Sequence, residues 1–108
     1  MAFDEGLAER LRELLADRDD VREKRMFGGL AYLVGGNLCC GILKDRLMAR
    51  VGASQYEAAL QRPHAREMDF TGRPMRGFVL VEPAGFEDDD DLRQWLSLCL
   101  GFVESLAR

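Results

Sequence analysis

Gly35-Gly36, set between apolar runs at 30–34 and 37–43, constrains the fold of this chain more than any other feature. Paired glycines take positive φ without steric cost, and the tight two-residue turn between antiparallel strands needs positive φ at both positions. The two runs are therefore expected to form one β-hairpin. A second reversal at Lys44-Asp45 leads into 47–51, where Leu47, Ala49 and Val51 alternate with Met48 and Arg50. That alternation predicts a third strand with one wetter face. On either side of this meander the apolar spacing lengthens to that of helices. Leu7, Leu11, Leu14 and Leu15 recur along one stripe behind Asp4, whose carboxylate can accept from the first free amides of a helix. Leu92, Trp95, Leu96, Cys99, Phe102, Val103 and Leu106 recur behind the acids 88–91, placed where a helix dipole favours negative charge.

Between these elements Ser54 is expected to cap a short helix with Tyr56, Ala59 and Leu60 on its apolar side, stopped by Pro63. Segments 66–70 and 77–81 flank Thr71-Gly72-Arg73-Pro74-Met75 and predict a second hairpin. The expected class is α+β, an antiparallel sheet of about five strands packed by N- and C-terminal helices, in the order α-β-β-β-(β)-α-β-β-α. A chain of 108 residues supports one core, so residues 1–108 are read as one domain. With 47% hydrophobic and 31% charged residues the composition excludes a disordered or fibrous chain. No stretch approaches 18 consecutive apolar residues, and Met1-Ala2-Phe3-Asp4-Glu5 lacks the layout of a secretory signal. A cytoplasmic chain with no membrane contact is expected.

The candidate chemistry is thin. Cys39, Cys40 and Cys99 are odd in number and match no zinc spacing, so they are expected to be free thiols. Neighbours on a strand point to opposite faces, which predicts one of Cys39 and Cys40 in the core and the other facing the opposite layer. His64 is the single histidine, flanked by Arg62 and Arg66, and is expected to be a loop residue. A small enzyme built on His64 or a cysteine requires a cleft that brings the imidazole to a nucleophile. Gly28-Gly29 and Gly35-Gly36 fit neither phosphate-binding pattern. Glu67 and Asp69 share a strand face, with no cleft predicted between them for paired-carboxylate hydrolysis. No catalytic residue, metal or cofactor is assigned.

Charge is more informative by position than in its total of −4. Residues 1–21 and 82–108 are acidic, whereas ten of the fifteen cations lie between 22 and 81. Arg50, Arg66, Arg73 and Arg76 are therefore candidate contacts for a partner or for nucleic acid, with Phe70 or Tyr32 as aromatic neighbours on the sheet. The acidic helices should oppose a polyanion, so DNA binding is expected to be weak and pairing between sheet and helices is favoured. In the last helix Leu98 and Leu100 widen the apolar arc beyond what one small sheet covers. These two leucines are candidate homodimer contacts.

Four motifs stand in order along the chain: Met26-Phe27-Gly28-Gly29, Cys39-Cys40-Gly41, Arg62-Pro63-His64 leading into Met68-Asp69-Phe70, and Thr71-Gly72-Arg73-Pro74-Met75. Together they resemble the TfoX N-terminal domain over almost the whole length. The resemblance implies a compact fold like that of secretion chaperones, with dimerisation, and a regulatory setting without established catalytic residues. Full-length TfoX promotes expression of DNA-uptake competence genes with the cyclic-AMP receptor protein. Its second, helical C-terminal domain has no counterpart here, so a lone N-terminal domain acting as a non-enzymatic protein-interaction module is expected.

Overall fold

A computed structural model describes residues 3–26, 28–69, 72 and 74–106. Among these residues one six-stranded antiparallel sheet carries three α-helices. The elements are α1 (Glu5–Leu14), β1 (Val21–Met26), β2 (Gly29–Val34), β3 (Asn37–Leu43), β4 (Arg46–Arg50), α2 (Ala53–Leu60), β5 (Ala65–Asp69), β6 (Pro74–Val81) and α3 (Asp89–Leu106). Across the sheet the strands run β1-β2-β3-β4-β6-β5. The expected order holds, with six strands where about five were expected.

The additional strand is β1. Its Arg22-Glu23-Lys24-Arg25 stretch shows no apolar alternation, because an edge strand is held by its backbone ladder to β2 and leaves its side chains in water. Such a charged edge also discourages pairing with another chain. The β2–β3 hairpin turns at Gly35 and Gly36, with φ of 58° and 85°, as the two-residue turn requires. Asp4 caps α1, its Oδ1 accepting from the Gly6 amide at 2.8 Å. Ser54 is not the cap of α2. The helix starts two residues earlier than that cap requires, at Ala53 behind Gly52, whose amide and that of Val51 donate to the Gly77 carbonyl at 3.1 and 2.9 Å. A side chain at Gly52 would strike the Phe102 ring of α3, so glycine occupies a close crossing there.

All three helices lie on one face of the sheet. Tyr32 of β2 donates to the Ala8 carbonyl of α1 at 3.0 Å, α3 lies over β3 and β4, and α2 lies over β6 and β5. The helix order α1-α3-α2 places α3 between two neighbours. That position explains Leu98 and Leu100, which are half-buried and packed against the core rather than standing on an exposed patch. Leu100 shares a shallow groove with Leu14 of α1, and Leu98 shares another with Gln55 of α2. Leu106, expected on the apolar side, is 43% exposed.

The core contains two tyrosines in opposite situations. Loss of solvent pushes the Tyr32 phenol up, but its hydroxyl is hydrogen-bonded, whereas the buried Tyr56 hydroxyl has no partner among the described residues. Tyr32→Phe is therefore expected to lower the unfolding free energy by about 1 kcal/mol, while Tyr56→Phe should leave it unchanged or raise it. Urea unfolding of the two variants tests the contrast. The raised Tyr32 value also has a pH signature: its contribution is full below the ordinary tyrosine value of about 10 and is lost as pH rises above it.

Candidate functional site

The face of the sheet opposite the helices is the candidate site. Register assigns side chains to it by alternation. Leu30, Tyr32, Cys40, Ile42, Leu47, Ala49, Val79 and Val81 belong to the helix-covered core. Their partners in alternation, Leu33, Leu43, Leu80 and Phe78, are half-buried and stand on the other face, away from that core. Ala31, Gly41 and Met48 form a buried floor between them, with the Met48 methyl lying over Gly41. Met48 was expected on a wetter face. Instead Gly41 opposite it lets the thioether lie flat and be shielded. No helix covers this floor among the described residues.

Cations surround the floor. Arg22 and Lys24 extend from β1, Arg46 and Arg50 from β4, and Arg66 from β5. Arg66 bonds the Glu82 carboxylate at 3.0 Å, and Arg46 stands 3.9 Å from the same group. Arg50 donates to the Leu38 carbonyl at 3.1 Å and lies over the rings of Phe78 and Phe102. Arg22 and Lys24 are exposed and make no ion pair among the described residues. Arg76 leaves the group: it lies over the Tyr56 ring, 3.7 Å from Glu57 of α2. Arg73 and Phe70 lie outside the described residues. Tyr32, expected as a surface aromatic, is wholly buried. The expected pairing of sheet cations with helices occurs in part: Arg76 reaches Glu57 of α2, whereas Arg46 and Arg66 share Glu82, which follows β6. Asp69 accepts from the Gly72 amide at 2.8 Å, closing the turn before β6.

The thiols depart from the strand rule. Leu38 and Cys40 pair with the consecutive residues Leu33 and Tyr32, leaving Cys39 as the extra residue of a β-bulge. The bulge breaks the pleat, so Cys39 and Cys40 both enter the core, where they meet Cys99 of α3. Cys40 and Cys99 are pushed well up by their hydrogen bonds to Cys39 and by burial. Cys39 is drawn down because Cys40 and then Cys99 donate to its sulfur. Among the described residues no group of three His, Cys, Asp or Glu side chains is placed to hold a metal ion. The folded protein is expected to resist a thiol reagent, because no sulfur reaches the surface. Denatured without reductant, it should titrate three equivalents, and fewer would show a disulfide.

His64 stands at φ 65° and lines a hollow of about 190 Å³ with Arg62, Pro63, Ala84, Gly85, Asp91 and Trp95. Arg62 lies over the Trp95 ring and donates to the Gln94 side chain at 3.1 Å. None of the residues lining the hollow carries a hydroxyl or thiol. The cysteines of the core are not brought to the imidazole.

Among curated proteins and among solved structures, none matches the chain. The family model of the TfoX N-terminal domain matches residues 13–103. That span runs from the last turn of α1 into the final turns of α3 and takes in every strand of the sheet. The chain therefore belongs to the TfoX N-terminal domain family.

Proposed function

We propose that this domain is a TfoX-type protein-interaction module, acting without catalysis in the regulation of transcription for DNA-uptake competence, and that it docks its partner through the open face of the sheet. One observation supports the reading above others. Leu33, Leu43, Phe78 and Leu80 stand on a face that none of the three helices covers. Antiparallel sheets that face water on one side ordinarily present polar side chains there, and a contiguous apolar surface marks a contact site. The test is a transcriptional reporter for competence genes in cells that depend on this chain. Leu33→Ser with Leu80→Ser is expected to abolish the response, while Leu106→Ser, a change on the helical side, should retain it. A full response from the sheet variant, at equal protein level, overturns the reading.

Direct binding to duplex DNA is a second reading, favoured by Arg22 and Lys24, which make no ion pair among the described residues. The acids of α1 and α3 oppose it on so small a body, so affinity should be weak and fall steeply with salt. Submicromolar anisotropy titrations at physiological salt, lost on Arg22→Ala with Lys24→Ala, would make it the leading one.

A further inference from the structure

We infer that the occupant of the open face is an acidic amphipathic helix of a partner protein, with apolar anchors at its centre and carboxylates towards both ends; this rests on the docking reading above. The charge balance of the face is the first support. Among the described residues the cations Arg22, Lys24, Arg46, Arg50 and Arg66 belong to this face by register, and the Glu82 carboxylate is shared by Arg46 and Arg66. The helical side carries the opposite sign, with Glu5 in the first turn of α1 and Asp89, Asp90 and Asp91 in that of α3. The domain is thus electrically two-sided, and its uncovered side selects negative charge.

The same charges argue against a second copy. Two open faces brought together about a two-fold axis would oppose cation to cation, and an open face on the acidic helices of another copy would give a head-to-tail contact that does not close. The shape argues against a bilayer. The apolar side chains of this face are half-buried, and among the described residues the one large hydrophobic side chain that is exposed, Leu106, belongs to α3. None of these described side chains stands proud enough to insert.

The dimensions give the length of the occupant. From β1, which carries Arg22 and Lys24, to β5, which carries Arg66, there are five inter-strand spacings. At about 4.8 Å each they span roughly 24 Å. A helix rising 1.5 Å per residue covers that distance in about 16 residues. Its middle would lie on Leu33, Leu43 and Leu80, and its ends would meet the unpaired cations of β1 and the Arg46–Arg66 corner.

Three labelled 16-residue amphipathic peptides of helical sequence, with one apolar face in common and Glu, Gln or Lys at the polar positions, test this by anisotropy and by amide shift mapping. The Glu peptide should bind at least tenfold tighter than the Gln peptide, weaken with salt and shift amides in β2, β3, β4 and β6. Arg22→Glu with Lys24→Glu should weaken the Glu peptide at least tenfold and leave the Gln peptide unchanged. Circular dichroism of the variant checks its fold. Equal binding of Glu and Gln peptides at the open face overturns the acidic occupant and keeps the docking reading, whereas no binding by any peptide at millimolar concentration overturns both. Tighter binding of phosphatidylserine vesicles or of a 20-base-pair duplex, or a doubled mass by light scattering that is lost on Leu33→Ser, also overturns the inference.

Discussion

Trp95→Ala is expected to lower the unfolding free energy by about 3–5 kcal/mol, the range for deleting a large buried aromatic side chain. Trp95 is 2% exposed and belongs to the core cluster that joins the helices to the sheet. It also forms the surface on which Arg62 lies. The surrounding backbone is fixed by α3 on one side and the sheet on the other, so the space left behind cannot close fully. Since a domain of this size has about 5–15 kcal/mol in all, the variant should be marginal or unfolded at 37 °C. Urea denaturation checks the value. A loss below about 1.5 kcal/mol would mean that Trp95 does not occupy the core position described.

Gly29→Ala is expected to be as damaging by a different route. A Cβ at this position would meet the backbone carbonyl of Ile42 in the neighbouring strand. Backbone within a paired ladder cannot rotate away as a side chain can, so relief requires the β2–β3 pairing itself to shift. The cost should reach or pass about 3 kcal/mol, the upper end of ordinary overpacking. Gly36→Ala is the matched control: an added methyl there meets nothing within 4 Å, and only the φ of 85° opposes it. It should cost about 1–2 kcal/mol. Thermal unfolding of the pair reads the difference, and equal losses would show that the approach of Gly29 to Ile42 is looser than described.

Much of the fold was legible in local pattern. The turn at Gly35-Gly36, the Asp4 cap and the apolar stripes of α1 and α3 depend on a few adjacent residues and on backbone periodicity, and each is found where expected. The edge strand β1 was not legible, because only its backbone is used and its side chains follow no pattern. The candidate site was legible only as a cluster of cations along the chain. Which of them are engaged depends on acids far away in sequence: Glu57 takes Arg76, and Glu82 takes Arg66. Arg22 and Lys24, outside the expected contact set, are exposed on the open face and make no ion pair among the described residues.

The amino-acid sequence by itself determined the elements other than β1, their order and the family, because these rest on spacing, turn chemistry and ordered motifs, which are properties of neighbouring residues. Tertiary structure alone decided what those elements face. Placing α3 between α1 and α2 packed Leu98 and Leu100 against the core. One bulged residue in β3 turned Cys39 and Cys40 to the same side, against Cys99. The three helices gathered on one side of the sheet and left Leu33, Leu43, Phe78 and Leu80 on the other, where no helix covers them among the described residues. The physical reason is common to all three outcomes. Burial and charge pairing are set by contacts between residues distant in the chain, and periodicity tells which side of an element is apolar without telling what will cover it.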